Sequence, residues 1–313
     1  MTDLYLYDGQ RLRALPAPAQ RPLRWAAWHP DGAWAMLVGN RGQVLRFDGA
    51  AAFEPLPTGS AHNLRGVGWA PDGERALLAG NRGAVLLYER GRFRDLPAVT
   101  VENLRRAAWA PDGASALVVG NAGVVLRFDA ASGALLPVPG DRAHTMRSVA
   151  WRPDGAYALI GAYASSYAGY PRPHALYRCD GRYTQALLAT DDDDDALAVD
   201  WRPGASPPSA LALVVAYGAG DRPTNKLLLY NGAGFDRRAV DAPGALLGAA
   251  WAPDGSHALI CGAGGALLRV TDDAITPVET PARDNLIGPF WRPGAGAPLA
   301  LMLKGPEEKV YTV

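Results

Sequence analysis

The amino-acid sequence predicts an all-β fold built from one repeated unit. A tryptophan followed two residues later by a proline occurs seven times, and five of these copies read Trp-x-Pro-Asp-Gly. The spacings between successive tryptophans are 41, 40, 42, 50, 50 and 40 residues, which are typical of a four-stranded propeller blade. Each copy also divides into short apolar runs separated by turn signals. We therefore predict a seven-bladed β-propeller with four-stranded antiparallel blades, formed by residues 1–313 as a single domain. The first strands end at Trp28, Trp69, Trp109, Trp151, Trp201, Trp251 and Trp291.

The second copy shows the predicted elements in order. Its apolar runs NLRGVGW, ERALLAG, AVLLYE and RFRDLP are separated by the turn sequences APDG, NRG and RG. Asp-Gly and Asn-x-Gly favour tight hairpins because glycine adopts a positive φ at little steric cost. An Ala-Leu or Ala-Met pair recurs in the second strand of every copy. Small residues beside large ones suit blades that pack face to face at about 10 Å.

The two ends of the sequence predict how the ring closes. Residues 4–16 (LYLYDGQRLRALP) match the third and fourth strands of a copy, and the last copy supplies a first and a second strand. We expect one blade to be shared by the N- and C-terminal segments, which removes open strand edges. LYLYD and KVYTV both have the pattern of a third strand, so the order of the outer strands in this blade stays open.

These motifs resemble those of known propellers over the whole chain. The x-Pro-Asp-Gly turn after an aromatic residue resembles WD-repeat-like and TolB-type bacterial propellers. The pattern Gly-Asn-x-Gly-x-Val-Leu is similar to propellers of the photosystem assembly-factor and sialidase-like (BNR) group. The Gly-His/Trp-Asp pair, the Asp-box and the double-Gly kelch turn are absent from the sequence. The resemblance implies a binding platform more often than an enzyme.

Composition excludes several classes of protein. With 31 basic and 31 acidic residues and 49% hydrophobic residues, the chain can bury a core and lacks the basic surplus of a nucleic-acid-binding domain. It has neither a leader pattern nor an apolar run of ~18 residues, so we expect a cytoplasmic monomer without a membrane partner. Cys179 and Cys261 lie in apolar strand segments and are expected to be reduced. No cofactor is predicted.

A basic arc is predicted at the mouth of the central channel. Blades 1 to 4 carry arginine four positions before the tryptophan, whereas blades 5 to 7 carry Leu197, Leu247 and Ile287 there. Guanidinium groups can hold a carboxylate or a phosphate through two donors. Alternatively, each arginine bonds a backbone carbonyl or a loop acid such as Glu102. The arginine arc is Arg24, Arg65, Arg105 and Arg147, with Arg41 and Arg82 in the adjoining turns and Arg106 and Arg142 nearby.

Two long loops join the second and third strands of blades 4 and 5. They span residues 162–174 and 216–226, whereas blades 1 to 3 use three-residue turns. Loops longer than a fold needs often bind ligands, and the first contains Tyr163, Tyr167 and Tyr170. The alternative is neutral insertion at exposed tips.

The remaining polar clusters are weak candidates for metal sites. Asp191–Asp195 are consecutive and lack the alternation and glycine of a calcium loop, so we interpret them as a solvated loop that attracts basic partners. His62 and His144 share an offset from their tryptophans but lie two blades apart, too far for a common zinc ion.

The sequence therefore predicts a non-catalytic interaction platform whose partner is another protein or an anionic ligand. The alternative is a hydrolase or lyase that binds an anionic sugar at the channel mouth, using the arginines, Tyr163 or Tyr167 and the aspartate run. A deep pocket that unites arginine, tyrosine and a carboxylate would favour the enzyme, and a flat rim would favour the platform.

Overall fold

A computed structural model confirms the predicted propeller. It describes residues 2–140, 144–163, 176–187, 195–204, 212–217, 225–294 and 298–305. These residues form seven four-stranded sheets in which neighbouring strands are antiparallel. Their only helical elements are four 3-10 turns of three residues each. Within the described ranges, no helix is long and apolar enough to cross a membrane.

The strands follow one another along the chain with short connections. The first fourteen are β1 (Thr2–Tyr7), β2 (Leu12–Ala17), β3 (Leu23–Trp28), β4 (Ala35–Gly39), β5 (Val44–Phe47), β6 (Phe53–Pro55), β7 (Leu64–Trp69), β8 (Arg75–Gly80), β9 (Val85–Glu89), β10 (Arg92–Asp95), β11 (Leu104–Trp109), β12 (Ser115–Gly120), β13 (Val125–Asp129) and β14 (Leu135–Pro137). The others are β15 (Thr145–Trp151), β16 (Ala158–Tyr163), β17 (Leu176–Cys179), β18 (Thr184–Ala186), β19 (Asp195–Trp201), β20 (Ala212–Tyr217), β21 (Asn225–Tyr230), β22 (Phe235–Val240), β23 (Leu246–Trp251), β24 (Ala258–Gly262), β25 (Leu267–Val270), β26 (Ile275–Pro277), β27 (Leu286–Trp291) and β28 (Ala300–Lys304). The 3-10 turns are Asn40–Gly42, Asn81–Gly83, Asn121–Gly123 and Ala263–Gly265.

Blades 1 to 6 each use four consecutive strands, beginning with β3, β7, β11, β15, β19 and β23. The first strand of every blade contacts the first strand of the next blade, and β27 contacts β3. The first strands therefore form the innermost ring around the axis. Both cysteines are buried free thiols.

Blade 7 is completed by the N-terminal segment, as the sequence predicts. Its strand order is β2-β1-β28-β27, and β1 pairs with β28 from Leu4 opposite Leu303 to Tyr7 opposite Ala300. LYLYD is thus the third strand and β2 is the outermost one. The competing segment KVYTV (309–313) lies outside the described residues. Leu4, Leu6 and Tyr7 are fully buried, so the N-terminal strands contribute to the core.

The seven repeat tryptophans have a structural role, since none of them is exposed. In six blades the indole N–H donates to the carbonyl oxygen of the residue before the tryptophan of the preceding blade. Trp109 Nε1, for example, lies 3.1 Å from the oxygen of Gly68. A methyl group at Gly68 would lie 2.3 Å from the carbonyl oxygen of Ala107, which explains why small residues recur on the inner strands.

Candidate binding site at the channel mouth

The position of the arginine arc is set by a β-bulge in the first strand. The register with the second strand shifts between Leu64 and Gly66 in blade 2 and between Leu104 and Arg106 in blade 3. A corresponding shift occurs in all seven blades. In blades 1 to 6 the extra residue is the one four positions before the tryptophan. A bulge bends the strand and changes the direction of such a side chain. Because blades 5 and 6 bulge with leucine, the bulge itself does not require arginine.

Three arginines of the arc are fixed by an asparagine of the same blade. Arg24 Nε donates to Asn40 Oδ1 at 3.0 Å, and Arg105 Nε donates to Asn121 Oδ1 at 2.8 Å. Arg65 forms the same bond with Asn81. We call these three bonds the Arg–Asn pairs. In these three arginines the partner of Nε is thus an asparagine oxygen. The asparagine holds the guanidinium group in a defined direction, which reduces the entropy lost on binding.

The turns beside the arc join neighbouring blades. Arg41 and Arg82 have left-handed backbones with φ of 54° and 56°. The N–H of Arg41 donates to Asn63 Oδ1 at 2.9 Å, and that of Arg82 donates to Asn103 Oδ1 at 3.1 Å. Each asparagine precedes the first strand of the next blade, so the turn of one blade is bound to the next. The side chains of Arg41 and Arg82 are exposed and extend the basic surface.

The aromatic part of the predicted site is described only at Tyr163. This residue occupies the position in blade 4 that asparagine occupies in blades 1 to 3, sixteen residues after the arginine of the arc. Its hydroxyl accepts a 2.8 Å hydrogen bond from Arg105 Nη2 of blade 3. Arg147 makes no hydrogen bond or ion pair that the structure describes. Tyr167, Tyr170, Arg142 and residues 191–194 of the acidic run lie outside the described residues.

The rim is apolar in the other blades. Leu197 and Leu247 are buried and pack with Ala245 and the ring of Tyr163. Ile287 is partly buried. The position four residues before the tryptophan therefore divides the rim into a basic half in blades 1 to 4 and an apolar half in blades 5 to 7.

From the rim inward, the central channel contains a cavity of about 190 Å³ lined by the first strands of six blades. Arg106, predicted beside the arc, lies inside this channel cavity. Its guanidinium carbon stands 3.3 Å from the centre of the Trp25 ring, and Nη1 donates to the oxygens of Arg65 and Arg105 at 2.7 and 2.8 Å. Burial lowers the pKa of Arg106 well below its usual range, and the charges of Arg147, Arg105 and Arg65 add to this effect.

Asp200 also lines the cavity and was missed by the sequence analysis. Its Oδ2 accepts a 2.8 Å hydrogen bond from the backbone N–H of Trp251. Burial raises the pKa of Asp200 to about 7, although the N–H groups of Trp251 and Trp201 oppose this shift. The indole of Trp251 lacks the carbonyl bond that the six other tryptophans make. The sequence does mark Asp200 by its position, since the residue before the repeat tryptophan is Ala, Gly or Phe in the other blades.

Only part of the set named for catalysis is described, and the two histidines named for metal binding are separated. Arginine and one carboxylate line the channel cavity, whereas Tyr163 is not among its described lining residues. His144 is buried, with Nδ1 2.6 Å from the hydroxyl of Tyr177, and His62 is exposed two blades away. No cluster of three His, Cys, Asp or Glu residues suited to a metal occurs in the part of the chain that the structure describes.

The chain is similar to known proteins in its fold. No protein-family profile matches the sequence, and no curated protein matches it. YCF48 bound to a D1 peptide is similar with a TM-score of 0.67 and 14% identity, over 96% of this chain and 97% of that one. Hydrazine synthase of Kuenenia stuttgartiensis is similar with a TM-score of 0.65 and 13% identity, over 82% and 79%. The likeness is one of fold. At these identities, the role of a residue in either protein cannot be assigned to a residue of this chain.

Proposed function

We propose that the protein is a non-catalytic binding platform whose basic half of the rim holds an acidic segment of another protein. One observation carries this proposal. The same bulge holds arginine in four consecutive blades and leucine in the next two, and blade 7 has Ile287 at the same offset from its tryptophan. Because the backbone forms with either residue type, the arginines are available for recognition rather than demanded by packing.

The geometry of the arginines suits a carboxylate-rich ligand. The Arg–Asn pairs bond through Nε, so the asparagines leave the terminal nitrogens to other partners, and Arg105 Nη2 donates to Tyr163. Arg24, Arg41, Arg82 and Arg147 form no ion pair with any described residue. Hydrogen bonds between charged groups contribute about 1.5 to 3 kcal/mol each. Several arginines fixed around one mouth can therefore supply micromolar affinity for a short acidic segment.

An exposed apolar side chain beside the arc supports a protein partner over a simple ion. Val101 lies on the loop between β10 and β11 and is 84% exposed. It stands four residues before Arg105, so a partner held by the arc would reach it. Interfaces combine apolar contacts with arginine. The similar structure of YCF48, determined with a D1 peptide, supports a peptide ligand for a propeller of this shape.

The proposal is tested by a display selection of random peptides against the purified full chain. We expect the selected peptides to carry a net negative charge and to bind more weakly as salt rises, because exposed charges are screened. In the variant Arg65→Gln/Arg105→Gln, affinity should fall at least about tenfold, which corresponds to about 1.4 kcal/mol.

A matched variant separates specific contacts from overall charge. Arg92→Gln/Arg94→Gln removes two arginines that are exposed on the outer strand β10, and it should bind like the original chain. Selected peptides without net negative charge would contradict the proposal. Equal loss of affinity in both double variants would contradict it as well.

A further inference from the structure

The channel cavity holds positive charge deep in the molecule. Its volume is about 190 Å³, and a water molecule in the liquid occupies about 30 Å³. The space is therefore large enough for several water molecules or one small polyatomic ion. Arg106 and Arg147 lie on one side, on the first strands of blades 3 and 4, while most of the other lining is Ala, Val, Leu, Gly and Pro.

The charge of Arg106 has no described counter-charge. Its contacts are the Trp25 ring and two backbone oxygens. Its Nε is buried without a hydrogen-bond partner, and so is the hydroxyl of Ser148 in the same lining. The charges that act on Arg106 are those of Arg65, Arg105 and Arg147. A buried cation surrounded by further cations is unfavourable unless an anion is held near it.

We propose that the channel cavity binds a small oxyanion, a phosphate, sulfate or carboxylate, between Arg106 and Arg147. Planar guanidinium groups match the oxygen spacing of these ions and can donate two hydrogen bonds to each. Ser148 lies next to Arg147 in sequence and adds a hydroxyl donor to this wall. The site adjoins the partner surface at the rim, since Arg147 belongs to the arginine arc, whereas Arg106 and Ser148 line the channel beside it.

Asp200 makes this site sensitive to pH. It is the only acidic residue among the described cavity lining, where the other titratable groups are Arg106 and Arg147. Its carboxyl faces the backbone N–H of Trp251, while its partner on β20 is Leu213 and the facing part of β23 is Gly248–Ala250. Since Asp200 titrates near neutral pH, its ionised form opposes an anion above that pH. Oxyanion affinity should therefore rise as the pH falls from 8 to 6.

The test is titration calorimetry of the full chain with phosphate, sulfate and acetate at matched ionic strength. Calorimetry is preferred to melting curves because sulfate and phosphate stabilise most proteins by exclusion from the surface. We expect saturable binding of one oxyanion per chain, and the strongest of the three identifies the oxyanion that the cavity prefers. Sulfate, whose charge is constant between pH 6 and 8, should bind more tightly at pH 6. In Asp200→Asn this difference should disappear.

Two arginine variants decide where the ion binds. Arg147→Gln removes a side chain with no described hydrogen bond, so the fold should be kept while affinity falls at least tenfold. Arg82→Gln removes an exposed rim arginine and should bind the oxyanion like the original chain. If none of the three ions binds saturably, or if Arg147→Gln binds as well as the original chain, the proposal is wrong. The ions are tested without any peptide, so this result is independent of the rim as a partner surface.

Discussion

Blades 1 to 4 and blades 5 to 7 place different chemistry on the same backbone. Every blade has the inner tryptophan and a bulge in the first strand. At the bulge, blades 1 to 3 carry arginine paired with asparagine, whereas Leu197 and Leu247 pack into an apolar cluster. Features that recur in all seven blades are therefore requirements of the fold. Features that change halfway round the ring are the candidates for function.

The two halves also differ in what their rim side chains contact. Leu197 is only 1% exposed and contributes to the packing between blades 5 and 6. Arg41 and Arg82 are exposed and bond the next blade only through their backbone. One half of the rim thus stabilises the ring, and the other half presents charge to solvent.

The largest loss of stability is expected when the N-terminal segment, which completes blade 7 in the apolar half, is removed. Deleting residues 2–17 removes β1 and β2 and exposes the edge of β28. We expect aggregation or loss of cooperative unfolding, because an unpaired strand edge joins other chains. Size-exclusion chromatography and thermal unfolding measure this. The variant Arg11→Ala/Arg13→Ala, which changes exposed residues of the same segment, should behave like the full chain. A monomeric deletion variant of unchanged stability would contradict the ring closure.

The repeat tryptophans sharpen the comparison between the halves. Trp109→Ala should lower the free energy of unfolding by about 3 to 5 kcal/mol. Trp109→Phe also loses the bond to the oxygen of Gly68, whereas Trp251→Phe removes an indole N–H that has no partner. The second phenylalanine variant should therefore be less destabilising by about 1 kcal/mol. Denaturant unfolding measures the free energy of unfolding of both phenylalanine variants. Equal losses would show that the hydrogen bond of the Trp109 indole does not contribute to stability.

Exchanging the rim residues tests whether the halves are interchangeable. Leu197→Arg places a charge at a buried site and should cost about 2 to 4 kcal/mol. Arg65→Leu places a residue type that blades 5 and 6 already accept, and stability should change by less than about 1 kcal/mol. Chemical unfolding compares the two variants. If Arg65→Leu unfolds the protein, the arc is an internal tie between blades and the proposed binding site is wrong.

Asp200 gives blade 5 a pH dependence. Its pKa is about 7 in the folded chain and lower once unfolded, so the folded state binds the extra proton and stability falls as the pH rises from about 4 to 7. The full shift corresponds to about 4 kcal/mol, and we expect about 1 to 3 kcal/mol because the half-buried carboxyl is partly screened. Asp200→Asn should remove this fall.

An exposed aspartate provides the control for Asp200. Asp254 accepts bonds from the backbone and hydroxyl of Ser256, which lower its pKa. Its stabilising effect is present above the unfolded pKa and is lost as the pH falls, so Asp254→Asn should change stability with pH in the opposite sense. Unfolding free energies measured between about pH 2 and 8 compare the variants, because the Asp254 contribution is lost below about pH 4. An Asp200→Asn profile that parallels the original chain would contradict the raised pKa of this carboxyl.

The sequence predicts the blade count, the turns and the shared blade because these depend on local patterns and a regular spacing. It also places the arginine arc on the innermost strands. The Arg–Asn pairs were missed, although arginine and asparagine sixteen residues apart in three blades were a visible signal. The channel cavity could not be predicted, because the direction in which Arg106 and Asp200 turn depends on contacts between blades. Tyr167 and Tyr170 stay predictions.

Mapping a bound peptide by amide hydrogen exchange tests the central claim most directly. A peptide from the display selection is added to the full chain, and exchange is compared with the chain alone. We predict new protection at the turns Asn40–Gly42 and Asn81–Gly83 and in residues 100–105, with none at the Asp-Gly turns on the opposite face. Protection confined to blades 5 to 7 or to the opposite face would contradict the assignment of binding to the basic half of the rim.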